Sequence, residues 1–247
     1  MSGRFLLGLE IPPADQPALL ASLERAVRER TDLRPRVGLV LGSGLGGLAD
    51  ALELKTSIPF EELPGWPAAT APGHAGRLLF GRMSGVPVVI QQGRFHLYEG
   101  HSAGFVVQPV LLMGKLGVRV VVLTNAAGGV NPEFGTGTLM AITDHLNLTG
   151  RSPLVGPNAP DIGARFPDMT TVWDVDLRLR LHTAADAEGV ALPGEADDVI
   201  IKLAAEKAAE LIVLGTHGRT GFGKVLLGSV SERVIGKAKC AVLVVKS

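Results

Sequence analysis

Five short apolar runs, almost free of polar interruption, decide most of what this chain can fold into. They are Val37–Leu41, Val86–Ile90, Val118–Leu123, Leu211–Leu214 and Ala241–Val245. A strand with one wet face alternates apolar with polar residues. A continuous run instead predicts a strand covered on both faces, as in largely parallel sheets flanked by helices. The reading is therefore α/β, a three-layer αβα sandwich around a mostly parallel sheet. In such sheets ligands sit outside the carboxyl ends of the strands. The unusual residues follow the first four runs directly: Gly42-Ser43-Gly44-Leu45-Gly46, Gln92-Gly93-Arg94-Phe95-His96, Asn125-Ala126-Ala127-Gly128-Gly129 and Gly215-Thr216-His217-Gly218.

At 247 residues the chain can bury a substantial core, as one large domain or two small ones. Its 24 basic and 24 acidic residues cancel; the 8 basic and 6 acidic residues of 194–247 leave that segment at +2 and the remainder at −2. No basic stripe with interleaved aromatics exists, which argues against nucleic acid. Cys240 is the only cysteine, so an intrachain disulfide and a multi-cysteine metal site are excluded. Its apolar neighbours predict a buried structural thiol. Phe5–Leu9 is too short for a signal core or a membrane span, so a soluble cytoplasmic protein is expected, away from membranes.

Leu19, Leu20, Leu23 and Val27 predict an amphipathic helix over residues 15–31. A second helix is expected over 172–188, and a long loop over 150–170, rich in Pro, Gly and Asn. From 196, Ile200, Leu203, Ala204, Ala208 and Leu211 give one helix face. Ser229 and Glu232 have capping-box spacing at the start of a helix reaching about Lys239. Trp66 and Trp173 are read as packing residues, and His101 and His145 as structural.

The upstream residue types suit a phosphate. A glycine turn between strand and helix exposes backbone N–H groups, and Ser43 adds a hydroxyl donor. Arg94 can pair bidentately with phosphate oxygens; His74 and His96 can add hydrogen bonds. Gly42, Gly44 and Gly46 taken alone are equally a tight strand–helix turn. The collinear set is more specific. The matching stretches are Leu41–Gly46, Pro72–Gly76, Gln92–His101, Thr124–Gly129, Asp144–Asn147 and Arg165–Met169. From about residue 10 to 192 the chain resembles the purine nucleoside phosphorylases, of the type that forms trimers in that family. The resemblance implies phosphate held by Ser43, Arg94, His96 and the amide of Ala126, with His74 beside the attacking phosphate and Asn125 in the catalytic set. It implies Tyr98 at the ribose, and Gly128 with Ala126 at the base. It implies no cofactor, inorganic phosphate being co-substrate or bound anion.

Near Pro193 the resemblance changes. Residues 194–247 look like the C-terminal half of a universal stress protein, whose nucleotide motif is met by Gly215, Gly218, Gly228 and Ser229. Backbone amides and a helix N-terminus there suit a polyphosphate, although capping alone explains Ser229. Residues 1–193 and 194–247 are thus expected to share one continuous α/β domain, its last helix–strand–helix–strand coming from the stress-protein-like segment. That splice is what recombination at equivalent elements leaves, by gene fusion or by design.

Three readings stand open. One is a phosphorylase-like chimera that keeps its phosphate and ribose half-site but lacks the base site, and so is weakly active or inactive. Another is a phosphate- or adenine-nucleotide-binding module without chemistry. The third is an engineered fold chimera with no selected function. A homo-oligomer is left open in all three.

Overall fold

The structure, a computed structural model, describes residues 16–68, 75–132, 134–156, 158–170, 172–192, 200–201, 204–216 and 234–246. The chain divides into two compact units: Met1–Gly128 with Asn147–Pro167, and Gly129–Leu146 with Asp168–Ser247.

The first unit is built on a five-stranded sheet. Its elements are α1 (Gln16–Arg28), β1 (Val37–Leu41), β2 (Glu53–Pro59), β3 (Arg77–Met83), β4 (Val86–Gln92), α2 (Ala103–Val106), α3 (Gln108–Lys115) and β5 (Val120–Leu123). The strand order is β2-β3-β4-β1-β5. β1 runs parallel to β4 and to β5, whereas β2, β3 and β4 form an antiparallel meander. A two-residue turn, Ser84-Gly85, joins β3 to β4, both residues having positive φ as a tight hairpin demands.

Alternation along the strands sorts two cores. On one face Val40, Leu78, Phe80 and Val89 meet Leu20, Leu23 and Val27 of α1 and Leu112, Met113 and Leu116 at α3. On the other, Leu39, Leu41, Leu79, Val88 and Ile90 are covered by Ala49 and Leu52, at and just beyond the 3-10 turn Gly46–Ala51. Each of these large side chains, fully buried, contributes roughly 1.5–3 kcal/mol. Arg28 ties α1 to α3 within the first of these layers: Nη1 donates to Leu33 O at 2.8 Å and Nη2 to Leu116 O at 3.0 Å, where it caps α3. Burial, and secondarily Arg34, lower its pKa from the ordinary value.

The second unit holds α4 (Val175–Ala187) and a parallel pair, β6 (Leu211–Thr216) with β7 (Ala241–Lys246). Asp174 caps α4, accepting from Leu177 N at 2.8 Å. Helical residues at 204–206 and 234–237 precede the two strands.

All five apolar runs are strands, and the helices expected at 15–31 and 172–188 form; the five-stranded sheet is mixed rather than mostly parallel, with two parallel and two antiparallel pairings, because the β2-β3-β4 meander joins its edge. No helix or strand interrupts the described residues between Thr124 and Asp174, a longer loop than 150–170. Two further expectations need correction. The runs are not all covered on both faces: Val121, Val122 and Leu123 are exposed in β5, as are Leu211 and Val213 in β6. Among the described residues β5 ends its sheet, with β1 as its one neighbour. Cys240, expected to be buried, is half-buried just before β7.

Candidate active site

β4, β1 and β5 run in the same direction, with Leu41 opposite Gln92 and Val40 opposite Leu123. Their carboxyl ends therefore reach one rim together, and the segments 42–46, 93–96 and 124–126 leave it side by side. β1 lies between the other two, and the chain departs from it to both sides, which is the usual ligand position in such sheets.

Contacts at that rim are close. A Cβ on Gly42 would lie 2.7 Å from Asn125 Cα and 2.8 Å from Thr124 O, so only glycine lets the two loops meet. Gly42 N donates to Thr124 Oγ1 at 2.9 Å, and that hydroxyl donates to Val40 O at 2.9 Å. Leu45 N closes a turn onto Gly42 O at 3.1 Å. Gly44 occupies its third position with φ +79°, the left-handed value that favours glycine. Ser43, at the turn's second position, is exposed.

Arg94 reaches the same place from β4: its Nη1 donates to Thr124 O at 3.2 Å. It is held there by its neighbour Phe95, which is 3% exposed and packs against Phe60, Trp66 and Phe105 with ring centroids 4.9–5.6 Å away. Along extended backbone, burying Phe95 turns Arg94 and His96 to the opposite side. His96 is then fixed by Glu99, whose Oε2 accepts from His96 N and pairs with Nδ1, both at 2.8 Å. A carboxylate oxygen only accepts, so Nδ1 carries the proton in this pair. Tyr98 stacks on the His96 ring at 4.6 Å and is itself 77% exposed.

The sheet rim thus brings Ser43, Arg94, Asn125 and Ala126 to one place, with His96 and Tyr98 following Arg94. Gly128 is exposed further along the loop after β5. His74 lies outside the described residues, as do Gly218, Gly228 and Ser229. Gly215 is the fifth residue of β6, opposite Val245, in the second unit. Trp66 packs as expected and donates through Nε1 to Gln108 Oε1 at 2.9 Å. His101 packs against Phe95 and Phe105; His145 accepts from Trp173 Nε1 at 3.0 Å.

Four supporting residues escaped sequence reasoning: Gln92, Glu99, Thr124 and Arg77. Gln92, Glu99 and Thr124 lie within stretches that carry the family resemblance, and His96-x-x-Glu99 has capping-box spacing, with Glu99 Oε2 accepting from His96 N as such a box requires. Among the described residues no three His, Cys, Asp or Glu side chains gather as a metal site, and no helix is long and apolar enough to cross a membrane.

The sequence profile of the Phosphorylase superfamily matches residues 36–196. That of the Universal stress protein family matches residues 169–246, so the second likeness starts well before Pro193 and overlaps the first. Purine nucleoside phosphorylase 1 of Bacillus subtilis is 43% identical over 216 residues, covering 86% of this chain and 79% of that protein. Purine nucleoside phosphorylase 1 of Geobacillus stearothermophilus is 46% identical over 164 residues, covering 66% of this chain and 60% of that protein. The purine nucleoside phosphorylase of Schistosoma mansoni in complex with inosine superposes with TM-score 0.65 at 36% identity, over 70% of this chain and 61% of that one. The same enzyme in complex with acetate gives TM-score 0.65 at 30% identity, over 93% of this chain and 85% of that one.

Proposed function

The chain belongs to the phosphorylase superfamily, and on that premise we propose that it transfers the ribosyl group of a purine nucleoside to inorganic phosphate. The bond from the anomeric carbon to the purine nitrogen breaks with its electron pair leaving on the purine, which takes up a proton. A phosphate oxygen bonds the same carbon, giving free purine and ribose 1-phosphate.

The observation that carries this reading is the meeting of the Gly42 loop, Arg94 and Thr124–Ala126 at one sheet rim. The phosphate lies against Ser43 Oγ, the Ala126 amide and the Arg94 guanidinium, all donors to an oxyanion. His96 adds a further bond from beside the anion. The resemblance assigns His74 to the attacking oxygen; on this reading Tyr98 covers the ribose, and Asn125, Ala126 and Gly128 border the reacting nucleoside. On this reading the grip on the phosphate is strong and the grip on the base weak, the rest of the base site being what a chain that turns to stress-protein likeness over 169–246 is expected to lack. A site missing hydrogen-bond partners for its substrate loses rate and discrimination, so turnover is slow. Purine release from inosine, followed with and without phosphate at high protein concentration, tests this. Slow phosphate-dependent release that Arg94→Ala abolishes supports the reading; no phosphate-dependent release at any protein concentration overturns it.

A second reading is favoured by the match over 169–246: an adenine nucleotide held by the loop of Gly215, Gly218, Gly228 and Ser229. It predicts a rise in Tm with ATP that survives Arg94→Ala. An unchanged Tm in millimolar ATP rules it out.

A further inference from the structure

Gln92 ends β4 directly opposite Leu41, the last residue of β1. Both ends of its half-buried amide are engaged. Oε1 accepts from Arg77 Nε at 2.7 Å, and Nε2 donates to Gly46 O at 3.0 Å. Arg77 begins β3, where it stands opposite Gln92 in register. Gly46 begins the 3-10 turn that closes the glycine loop.

We propose that Gln92 is a positioning residue: it pins the carboxyl end of the Gly42–Gly46 loop and thereby sets how Ser43 meets a phosphate anion. The identity of that anion rests on the phosphorolysis reading above. The loop has two anchors on the sheet. At its start Gly42 N is tied to Thr124 Oγ1 at 2.9 Å; at its end Gly46 O is tied to Gln92. Ser43, Gly44 and Leu45 between them are exposed, with the bond from Leu45 N to Gly42 O inside the turn. A loop already fixed at both ends loses little further freedom when it closes on an anion, and that saving appears as affinity. Gln92 reaches the anion only through Gly46.

The side-chain chemistry makes the assignment testable. An amide accepts and donates at once, a carboxylate only accepts, and a thioether does neither usefully. Gln92→Glu keeps the Arg77 bond and loses the Gly46 bond; Gln92→Met loses both without adding charge. The full chain and both variants are assayed with inosine at varied phosphate, and amide hydrogen exchange is read at Leu45 and Leu48.

In both variants the phosphate KM rises about fivefold while the inosine KM stays within about twofold, the size of one lost hydrogen bond. Exchange at Leu45 and Leu48 quickens about tenfold, with β1 amides unchanged. The proposal is overturned if loop exchange matches wild type in both variants. It is equally overturned if Gln92→Glu alone raises the phosphate KM, which is charge repulsion. A common fall in Tm and kcat with unchanged phosphate KM, which is general damage, overturns it as well. Should the wild-type chain neither bind phosphate nor consume inosine, the phosphorolysis reading fails, and loop exchange still decides the role of Gln92.

Discussion

Glu99 Oε2 stands 2.8 Å from both the backbone nitrogen and Nδ1 of His96, so one carboxylate oxygen sets the ring's tautomer and its plane. With Nδ1–H directed at Glu99, a neutral ring presents Nε2 as an acceptor for a phosphate hydroxyl, and a protonated ring presents it as a donor to an oxyanion. Either way the pair fixes an orientation that His96 alone does not have. Replacing Glu99 by Ala is expected to lower kcat/KM for phosphate about tenfold. Gln, whose amide oxygen still accepts both bonds, is expected to cost less than half of that change on a logarithmic scale. Steady-state rates at varied phosphate distinguish the two; an Ala variant as active as wild type removes Glu99 from the site.

The glycine loop gives a second prediction with an internal control. Gly42→Ala places a methyl group 2.7 Å from Asn125 Cα and 2.8 Å from Thr124 O, both backbone atoms that cannot swing aside. The loops after β1 and β5 must part, at a cost of about 1–3 kcal/mol. Phosphate should then no longer raise Tm. Gly47→Ala, five residues on, meets nothing within 4 Å and adds a side chain where backbone freedom is otherwise lost on folding. Its Tm is expected to be unchanged or slightly raised. Thermal melts of the two variants with and without phosphate test both halves. Equal behaviour of the two means that the Gly42–Asn125 approach does not govern the rim.

What the sequence revealed of this fold follows from where information is local. β1, β4 and β5 were legible because their β-branched runs need no partner to be recognised, and the site loops were legible because they begin where those runs stop. β2 and β3 were not. Glu53–Pro59 mixes charges with a proline, and Gly81 interrupts Arg77–Met83. The glycine makes sense only in the sheet, since a Cβ there would lie 2.5 Å from Glu53 O at the irregularity between β2 and β3. The same limit applied at the site. Ser43, Arg94, Asn125 and Ala126 follow strand ends, but Gln92 and Thr124 act across strands, and no local pattern states that Leu41 faces Gln92. The exposed faces of β5 and β6 were misread for a related reason. A continuous apolar run reports what a strand can bury, whereas its position in the sheet decides what it does bury.

The aromatic wall behind Arg94 depends on one buried polar pair. Trp66 Nε1 donates to Gln108 Oε1 at 2.9 Å, with the two residues 4% and 1% exposed. Among the described residues Gln108 Nε2 is buried without a hydrogen-bond partner, so this amide already carries part of the cost of desolvation. Trp66→Phe strands the Gln108 oxygen as well, and Gln108→Met strands the indole N–H; each is expected to destabilise by about 2 kcal/mol. Combining them removes donor and acceptor together, so the double variant should lose clearly less than the sum of the singles. Trp66 also packs edge-on against Phe60 and Phe95 at 5.3 and 5.6 Å. The Trp66→Phe variant alone should therefore loosen Phe95, and with it Arg94, weakening phosphate-dependent stabilisation more than Gln108→Met does. Denaturant melts of the four proteins, each with and without phosphate, read both effects. Strict additivity in the cycle means that the bond contributes nothing beyond packing.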